Sequence, residues 1–183
     1  EWDVSKVTDM SNAFDGRSSF NGDISNWNVS NVTNMRFMFF NASSFTSDLS
    51  SWDVSKTTDV SAMFANASSF TSDLSMWNVS SVTDMSWMFQ RATLFTSDLS
   101  SWDVVTVANM QYMFYVASSF ISDLSAWDVS NVTNMQYMFY DAASFNQDLS
   151  SWNVNPNVIS CYEFDVLAPS WVLPKPNFTS CTI

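Results

Sequence analysis

Aspartate is the residue with the most regular potential for chemistry in this chain. It recurs at a constant step, at Asp23, Asp48, Asp73, Asp98, Asp123 and Asp148. Carboxylates on neighbouring strands, about 4.8 Å apart, repel one another unless hydrogen bonds or a cation compensate. Two interpretations follow: each Asp accepts a hydrogen bond from the backbone two residues on, as in a turn, or the column binds Ca²⁺. We expect the turn, and predict no metal site and no cofactor.

Catalysis would need a site that differs from its surroundings. The chain has no histidine, so the commonest general base and metal ligand is missing. Pairs of Asp could serve a glycosidase, but identical repeats offer no unique pocket with two differently tuned carboxylates. A second column, which runs from Asp3 through Asn28 and Asp53 to Asn153, mixes charged and neutral members and relieves repulsion without metal. We predict that the protein is not an enzyme.

Two further features point to a secreted protein. Cys161 and Cys181 both stand in a proline-rich tail and predict one disulfide bond, with an intermolecular bridge as the alternative. Sequons for N-glycosylation begin at Asn41, Asn66, Asn31, Asn131, Asn177, Asn28 and Asn78, of which Asn41 and Asn66 are the best candidates. A repeat rich in Asn, Ser and Thr also generates sequons by chance.

The excess of acidic residues limits the classes of molecule that the protein could bind. With 18 Asp and Glu against 6 Lys and Arg, the net charge is −12, which disfavours nucleic acid and anionic membrane surfaces. No apolar stretch approaches the roughly 20 residues that span a bilayer. The chain opens on Glu1, Trp2 and Asp3, which we interpret as a mature or excised piece of a protein that is secreted or displayed on the cell surface.

A repeated unit organises the chain. Trp occupies the same position in each unit, at Trp2, Trp27, Trp52, Trp77, Trp102, Trp127 and Trp152, and two Phe columns keep the same step. The step between successive Trp residues is 25 residues, and a period of this size is typical of stacked repeats. We predict a six-repeat solenoid over residues 1–151 with Trp27 and its successors in the core, followed by a capping segment over residues 152–183.

The pattern within one unit predicts two elements. Leu49, Trp52 and Val54 place apolar side chains on one face of a short strand. Val32, Met35, Phe39 and Ala42 step by three and four, which predicts a short helix with Thr33 at its start. The expected fold is an α/β solenoid: a right-handed coil with one short parallel strand and one short helix in each repeat.

The repeat resembles known families. Leu-x-x-Trp-x-Val is similar to the leucine-rich-repeat signature, and the unit from Trp127-Asp128-Val129 through Asp148-Leu149-Ser150 resembles the BspA-type surface-protein repeat. The resemblance covers residues 1–154. It implies an extracellular, leucine-rich-repeat-like protein used for adhesion or structure, with no catalytic residues.

The predicted helix would turn two columns outward, and four of the six units carry aromatic residues there. The outward aromatics are Phe37, Phe40, Trp87, Tyr112, Tyr115, Tyr137 and Tyr140. These side chains could fold over their neighbours, or they could form an exposed aromatic stripe that packs against another chain or stacks on sugar rings. We expect the stripe, in a subunit of a surface filament that self-associates end to end and laterally. The alternative is a cell-surface adhesin or a glycan- or protein-binding module. A third possibility is ice binding by a column of threonines at Thr8, Thr33, Thr58, Thr83 and Thr133.

Overall fold

The computed structural model describes residues 2–158 and 160–179, and it contains a stack of coils, one for each repeated unit. We number them in chain order: coils 1 to 6 are residues 2–26, 27–51, 52–76, 77–101, 102–126 and 127–151, and coil 7 begins at Trp152. Regular secondary structure is nearly missing from the described residues. Each coil supplies one isolated bridge residue, parallel to the next, in the order Asp9, Asn34, Asp59, Asp84, Asn109, Asn134 and Ser160.

The predicted helix is wrong. Residues 36–41 form consecutive turns, and no helix occurs anywhere in the described residues. Phe37 and Asn41 have φ angles of 55° and 59°, in the left-handed region that a right-handed helix cannot contain. Their N–H groups donate to Ser61 and Ala65 of the next coil instead of to the preceding turn. The spacing of three and four is real, but turns produce it.

The predicted strand is also wrong. At residues 49–54 the Trp52 N–H donates to the Leu49 carbonyl across a turn, and no strand longer than one bridge residue occurs in the part of the chain that the structure describes. Leu49, Trp52 and Val54 are all buried, so the apolar face is present without the strand. The chain is therefore not an α/β solenoid of the leucine-rich-repeat kind.

Hydrogen bonds between coils replace helix and sheet. In coil 1 the N–H groups of Met10, Asn12, Phe14 and Gly16 donate to coil 2 at 2.8 to 2.9 Å. The residues between them donate backward within their own coil, as Ala13 does to the Met10 carbonyl at 3.2 Å. Since backbone groups alternate between the two uses, buried turns keep their polar groups satisfied.

Phenylalanine fills the centre of the stack. The columns that begin at Phe14 and Phe20 continue through every coil to Phe139 and Phe145. Within a column successive rings lie 5.4 to 6.1 Å apart, nearly parallel, and within a coil the two rings approach to between 3.9 and 4.3 Å. The stacked rings form one continuous aromatic core.

Coil 7 continues this stack beyond residue 151. The bridge from Asn134 reaches Ser160, which shows that coil 7 contains one extra residue before that point. With this shift Phe164 falls into a core column of Met side chains and Trp171 into a Phe column, where both are buried.

The parallel Phe stack ends at coil 7. The Phe164 and Trp171 rings meet Phe139 and Phe145 edge-on, at 76° and 83°. Phe178 packs on Phe164 in the same manner, at 71°. Because these rings stand across the stack, they cover the last parallel rings of the core.

Candidate functional site: an aromatic face

Eight aromatic side chains form a partly exposed surface that we call the aromatic face. Seven of them were predicted to point outward, and all seven are partly exposed in the structure. The eighth, Tyr162, is 54% exposed. The members are Phe37, Phe40, Trp87, Tyr112, Tyr115, Tyr137, Tyr140 and Tyr162.

Four members of the aromatic face are the left-handed residues of their turns. Phe37, Trp87, Tyr112 and Tyr137 all have φ angles between 55° and 57°. The side chains of these four residues are partly exposed. Because L-residues enter this region at a cost of roughly 1 to 2 kcal/mol, the stacked coils must impose it.

The face is interrupted at coil 3. Ala62 and Ala65 occupy the aromatic columns there and are buried, with 1% and 0% of their surface exposed. The larger side chains of coils 2 and 4 flank them. The aromatic face thus has a small patch at Phe37 and Phe40 and a large patch that runs from Trp87 to Tyr162.

The rings of the large patch contact one another. Tyr112 and Tyr137 stack with centroids 4.6 Å apart, and Tyr115 and Tyr140 stack at 5.0 Å. Trp87 leans on Tyr112 at 5.7 Å, and Tyr162 meets Tyr137 edge-on at 5.5 Å. Since many ring faces are covered by neighbouring rings, the surface presents mainly edges and hydroxyl groups.

Cations and acids border the face. The Arg36 guanidinium lies 4.8 Å from the Phe37 ring centre, and that of Arg91 lies 5.9 Å from the Tyr115 ring centre, both within the range of cation–π attraction. Burial raises the pKa of Tyr112, and the neighbouring Tyr137 adds to this effect. A hydrogen bond with Glu163 raises the pKa of Tyr162. Both phenols therefore keep their protons at neutral pH.

The aspartate column acts as a series of turns. Asp48 accepts hydrogen bonds from the Ser50 N–H at 2.9 Å and from the Ser72 hydroxyl of the next coil at 3.3 Å. The backbone bond of Ser50 is the main cause that lowers the pKa of Asp48. Each of the other five members of this column likewise accepts from the N–H two residues on. Among the described residues, no group of three or more His, Cys, Asp or Glu could hold a metal ion.

Most of the predicted glycosylation sites have structural roles. The side-chain amides of Asn31 and Asn131 donate to the Ser5 and Val105 carbonyls at 2.9 and 2.8 Å. Asn41 and Asn66 sit in the left-handed region, at 59° and 61°, which Asn tolerates well. Asn28 and Asn78 accept turn hydrogen bonds from Ser30 and Ser80, and Asn177 is exposed. Glycosylation stays a prediction at all seven.

The cysteine pair is described at one end. Cys161 is buried and disulfide-bonded, whereas Cys181 lies outside the described residues, so their pairing stays a prediction. Cys161 takes the place of Met135 in its core column, shifted by the extra residue of coil 7.

The described part of the chain contains no helix long and apolar enough to cross a membrane.

The tryptophan column is buried in coils 3 to 7. Trp52, Trp77, Trp102 and Trp127 are 3% exposed, and Trp152 is 5% exposed. Trp27 is only partly buried, and Trp2, which stacks on it at 6.3 Å, is 76% exposed. A cavity of about 380 Å³ lies beside these two indoles and is also lined by Phe14, Phe20 and Ile24.

Sequence reasoning missed three residues of this site, Tyr162, Arg36 and Arg91. Tyr162 lies in the tail beyond the six predicted units, where the extra residue of coil 7 shifts the columns. The signal that could have located this coil is the column set Val132, Met135 and Met138, which recurs one residue late as Val158, Cys161 and Phe164. Arginine does not recur at the positions of the other coils that are equivalent to Arg36 and Arg91, so no periodic pattern marks these two residues.

The architecture defines a repeat protein built from stacked coils of turns, and a comparison with protein families shows which family the chain belongs to. The chain matches the family described as "Mycoplasma protein of unknown function, DUF285" twice, over residues 1–93 and 71–165. Because the two matches together span most of the sequence, the chain belongs to this family. No curated protein and no solved structure matches the chain. The resemblance to BspA-type and leucine-rich repeats is therefore corrected: the family that matches is a different one.

Proposed function

We propose that this protein is an extracellular binding module whose aromatic face docks a protein partner. The observation that carries the proposal is the clustering of tyrosine: all five tyrosines of the chain lie on the large patch of this face, beside Trp87 and Arg91. Tyr, Trp and Arg are the residues that dominate binding energy at protein interfaces. Stacking against neighbours also limits the side-chain entropy that binding would cost.

A protein partner fits this geometry better than a sugar. A sugar ring binds by lying flat on an exposed aromatic face, but Tyr112 and Tyr137 cover each other's faces, as do Tyr115 and Tyr140. Ring edges and hydroxyl groups suit contacts with protein side chains and backbone. The net charge of −12 favours a partner with a basic surface, whose association would slow as salt is added.

A filament subunit is the second candidate function, and lateral contact through the same face would serve it. Stacking end to end has less support, because Phe164, Trp171 and Phe178 meet the core edge-on and end the parallel Phe stack at coil 7. Location outside the cell is supported by the disulfide bond of Cys161, since such bonds persist in oxidising compartments.

The test compares a face variant with a matched surface variant. Tyr112→Asn together with Tyr137→Asn removes two stacked rings. Asn is chosen because it tolerates the φ angles of 57° and 55° at these positions. Met76→Asn changes an exposed side chain, at 84%, away from the face. All three proteins are screened against an array of extracellular protein domains and an array of glycans, and their masses in solution are measured by analytical ultracentrifugation.

We expect the native chain and Met76→Asn to retain the same protein ligand, and the double variant to bind it at least about tenfold more weakly. Retention of glycans alone would contradict a protein partner. Assemblies of the native chain that the double variant abolishes, without any captured domain, would replace the binding module by the filament subunit.

A further inference from the structure

The tyrosines of coils 5 and 6 are arranged in two matched pairs. Tyr112 faces Tyr137 with ring centroids 4.6 Å apart and planes 16° from parallel. Tyr115 faces Tyr140 at 5.0 Å and 13°. All four side chains are partly exposed, so an oxidant in solution can reach them. Each pair joins two successive coils of the stack.

Backbone hydrogen bonds hold the pairs in place. The Tyr112 N–H donates to the Gln136 carbonyl at 2.9 Å, and the Val116 N–H donates to the Tyr140 carbonyl at 2.8 Å. These bonds tie coil 5 to coil 6 on both sides of the rings. The rings therefore stay close together for as long as the coils remain stacked.

We propose that these pairs are a modification site, at which a one-electron oxidant joins Tyr112 to Tyr137, or Tyr115 to Tyr140, through a carbon–carbon bond between ring carbons ortho to the hydroxyl groups. The product is a dityrosine bridge between coils 5 and 6. The proposal does not depend on the protein-binding role of the face.

The reaction balances with hydrogen peroxide as the terminal oxidant and a haem peroxidase as the one-electron carrier. Each phenol gives up one electron and its hydroxyl proton and becomes a phenoxyl radical. The two radicals couple at their ortho carbons to give a pair of dienones, and the hydrogen on each of those carbons then moves through solvent to the carbonyl oxygen of the same ring, which restores both phenols. In total two tyrosines and one peroxide molecule give one dityrosine and two water molecules.

Two features of the surroundings favour coupling within the molecule. The partner radical is already in ring contact, whereas a second copy of this acidic chain, with a net charge of −12, is repelled.

The experiment treats a dilute solution of the 183-residue protein with hydrogen peroxide and a haem peroxidase, digests it, and sequences the cross-linked peptides by mass spectrometry. Tyr112→Phe with Tyr115→Phe is the test variant, because Phe37 and Phe40 already occupy the same columns in coil 2 and the fold should persist. Tyr162→Phe is the matched control, and a sample unfolded in urea is treated in parallel.

We expect the folded native chain and Tyr162→Phe to stay monomeric and to yield peptide pairs from coils 5 and 6 that are lighter by two hydrogen atoms. The double variant and the unfolded sample should lose those pairs. The proposal is overturned if no bridged peptide forms, if bridges join only separate molecules or residues of one coil, or if the unfolded sample yields the same pairs.

Discussion

At the scale of single residues, the buried tryptophans tie each coil to the one before it. The Trp77 indole N–H donates to the Leu49 carbonyl of the preceding coil at 3.0 Å, and the ring is 3% exposed. The same bond recurs from Trp52, Trp102, Trp127 and Trp152. One side chain therefore fills the core and also satisfies a buried acceptor, so it contributes packing and hydrogen bonding together.

Replacing Trp77 by Ala should lower the free energy of unfolding by about 3 to 5 kcal/mol, because it opens a cavity in the core. Trp77→Phe should cost less, since a ring remains and the Leu49 carbonyl still accepts from the Trp52 N–H at 3.0 Å. Urea unfolding of both variants measures the difference. Met76→Ala, at a position 84% exposed, is the neighbouring control, and an unchanged Trp77→Ala protein would show that the indole is not part of the core.

Left-handed residues are the other decisive single positions. Val116 has a φ angle of 56°, although a β-branched side chain is strained there. Val116→Gly should therefore raise the free energy of unfolding by about 1 kcal/mol. Val105→Gly is the matched control at a turn residue with ordinary φ, and it should lower stability by up to about 1 kcal/mol. Denaturant titration compares the two, and a loss at Val116 would contradict the strain argument.

At the scale of the element, the unit is a turn closed by an Asp or Asn side chain. Asp73 accepts from the Ser75 N–H at 2.9 Å, and it also accepts from the Ser97 hydroxyl, which in turn accepts from the Leu74 N–H. Turn and neighbouring coil are therefore linked through one carboxylate. Asn fills the equivalent role at Asn28 and Asn78, because the turn requires an acceptor oxygen and not a charge.

Acid should weaken these turns. Backbone hydrogen bonds to Ser50, Ser75 and Ser100 hold the pKa values of Asp48, Asp73 and Asp98 below 3.8. Groups with a lowered folded pKa stabilise the fold above the unfolded value of 3.8 and lose that contribution as the pH falls through the folded pKa. We expect the urea midpoint to be level between about pH 5 and pH 7 and to fall below about pH 4.

The control for this prediction is Asp73→Asn, which keeps an acceptor oxygen but cannot be protonated in this range. It should fold normally at neutral pH and show a smaller acid-dependent loss than the native chain. A midpoint that rises on acidification would mean that relief of charge repulsion outweighs the turns.

At the scale of the whole molecule, stability is a sum over coils and the contacts between neighbours. Each coil bonds to the next through the same alternating N–H groups, and its Phe rings stack only on the adjacent coils. In such a stack each unit depends on its neighbours and little else. The molecule should therefore tolerate the loss of a complete unit but not a shift of register.

Deleting residues 76–100 removes one full period, the spacing from Trp52 to Trp77, and rejoins every column. We expect a folded protein with a smaller urea m-value, because less surface is exposed on unfolding. Deleting residues 76–99 instead removes one residue fewer and shifts the junction relative to its columns. That variant should be much less stable, and equal stability of the two deletions would contradict a register set by the columns.

The sequence alone determined the period, the columns and most of the side chains that face inward or outward. Trp52 and Phe39 are buried and Tyr112 is partly exposed, as their positions in the repeat predict, because burial follows from apolar periodicity whatever backbone produces it. The aspartate turns were also predictable, since their hydrogen bonds reach only two residues along the chain.

Only the tertiary structure decided the backbone. The spacing of apolar residues is helical at Val32, Met35, Phe39 and Ala42. The N–H groups of Phe37 and Phe39 nevertheless donate to coil 3. A prediction from local spacing does not include hydrogen bonds to the next repeat, so it could not detect this backbone. The left-handed conformation of Phe37, Tyr112 and Tyr137 is unfavourable in isolation. It exists because the neighbouring coils supply hydrogen bonds that a single coil lacks, and it is these turns that bring the tyrosines of successive coils together.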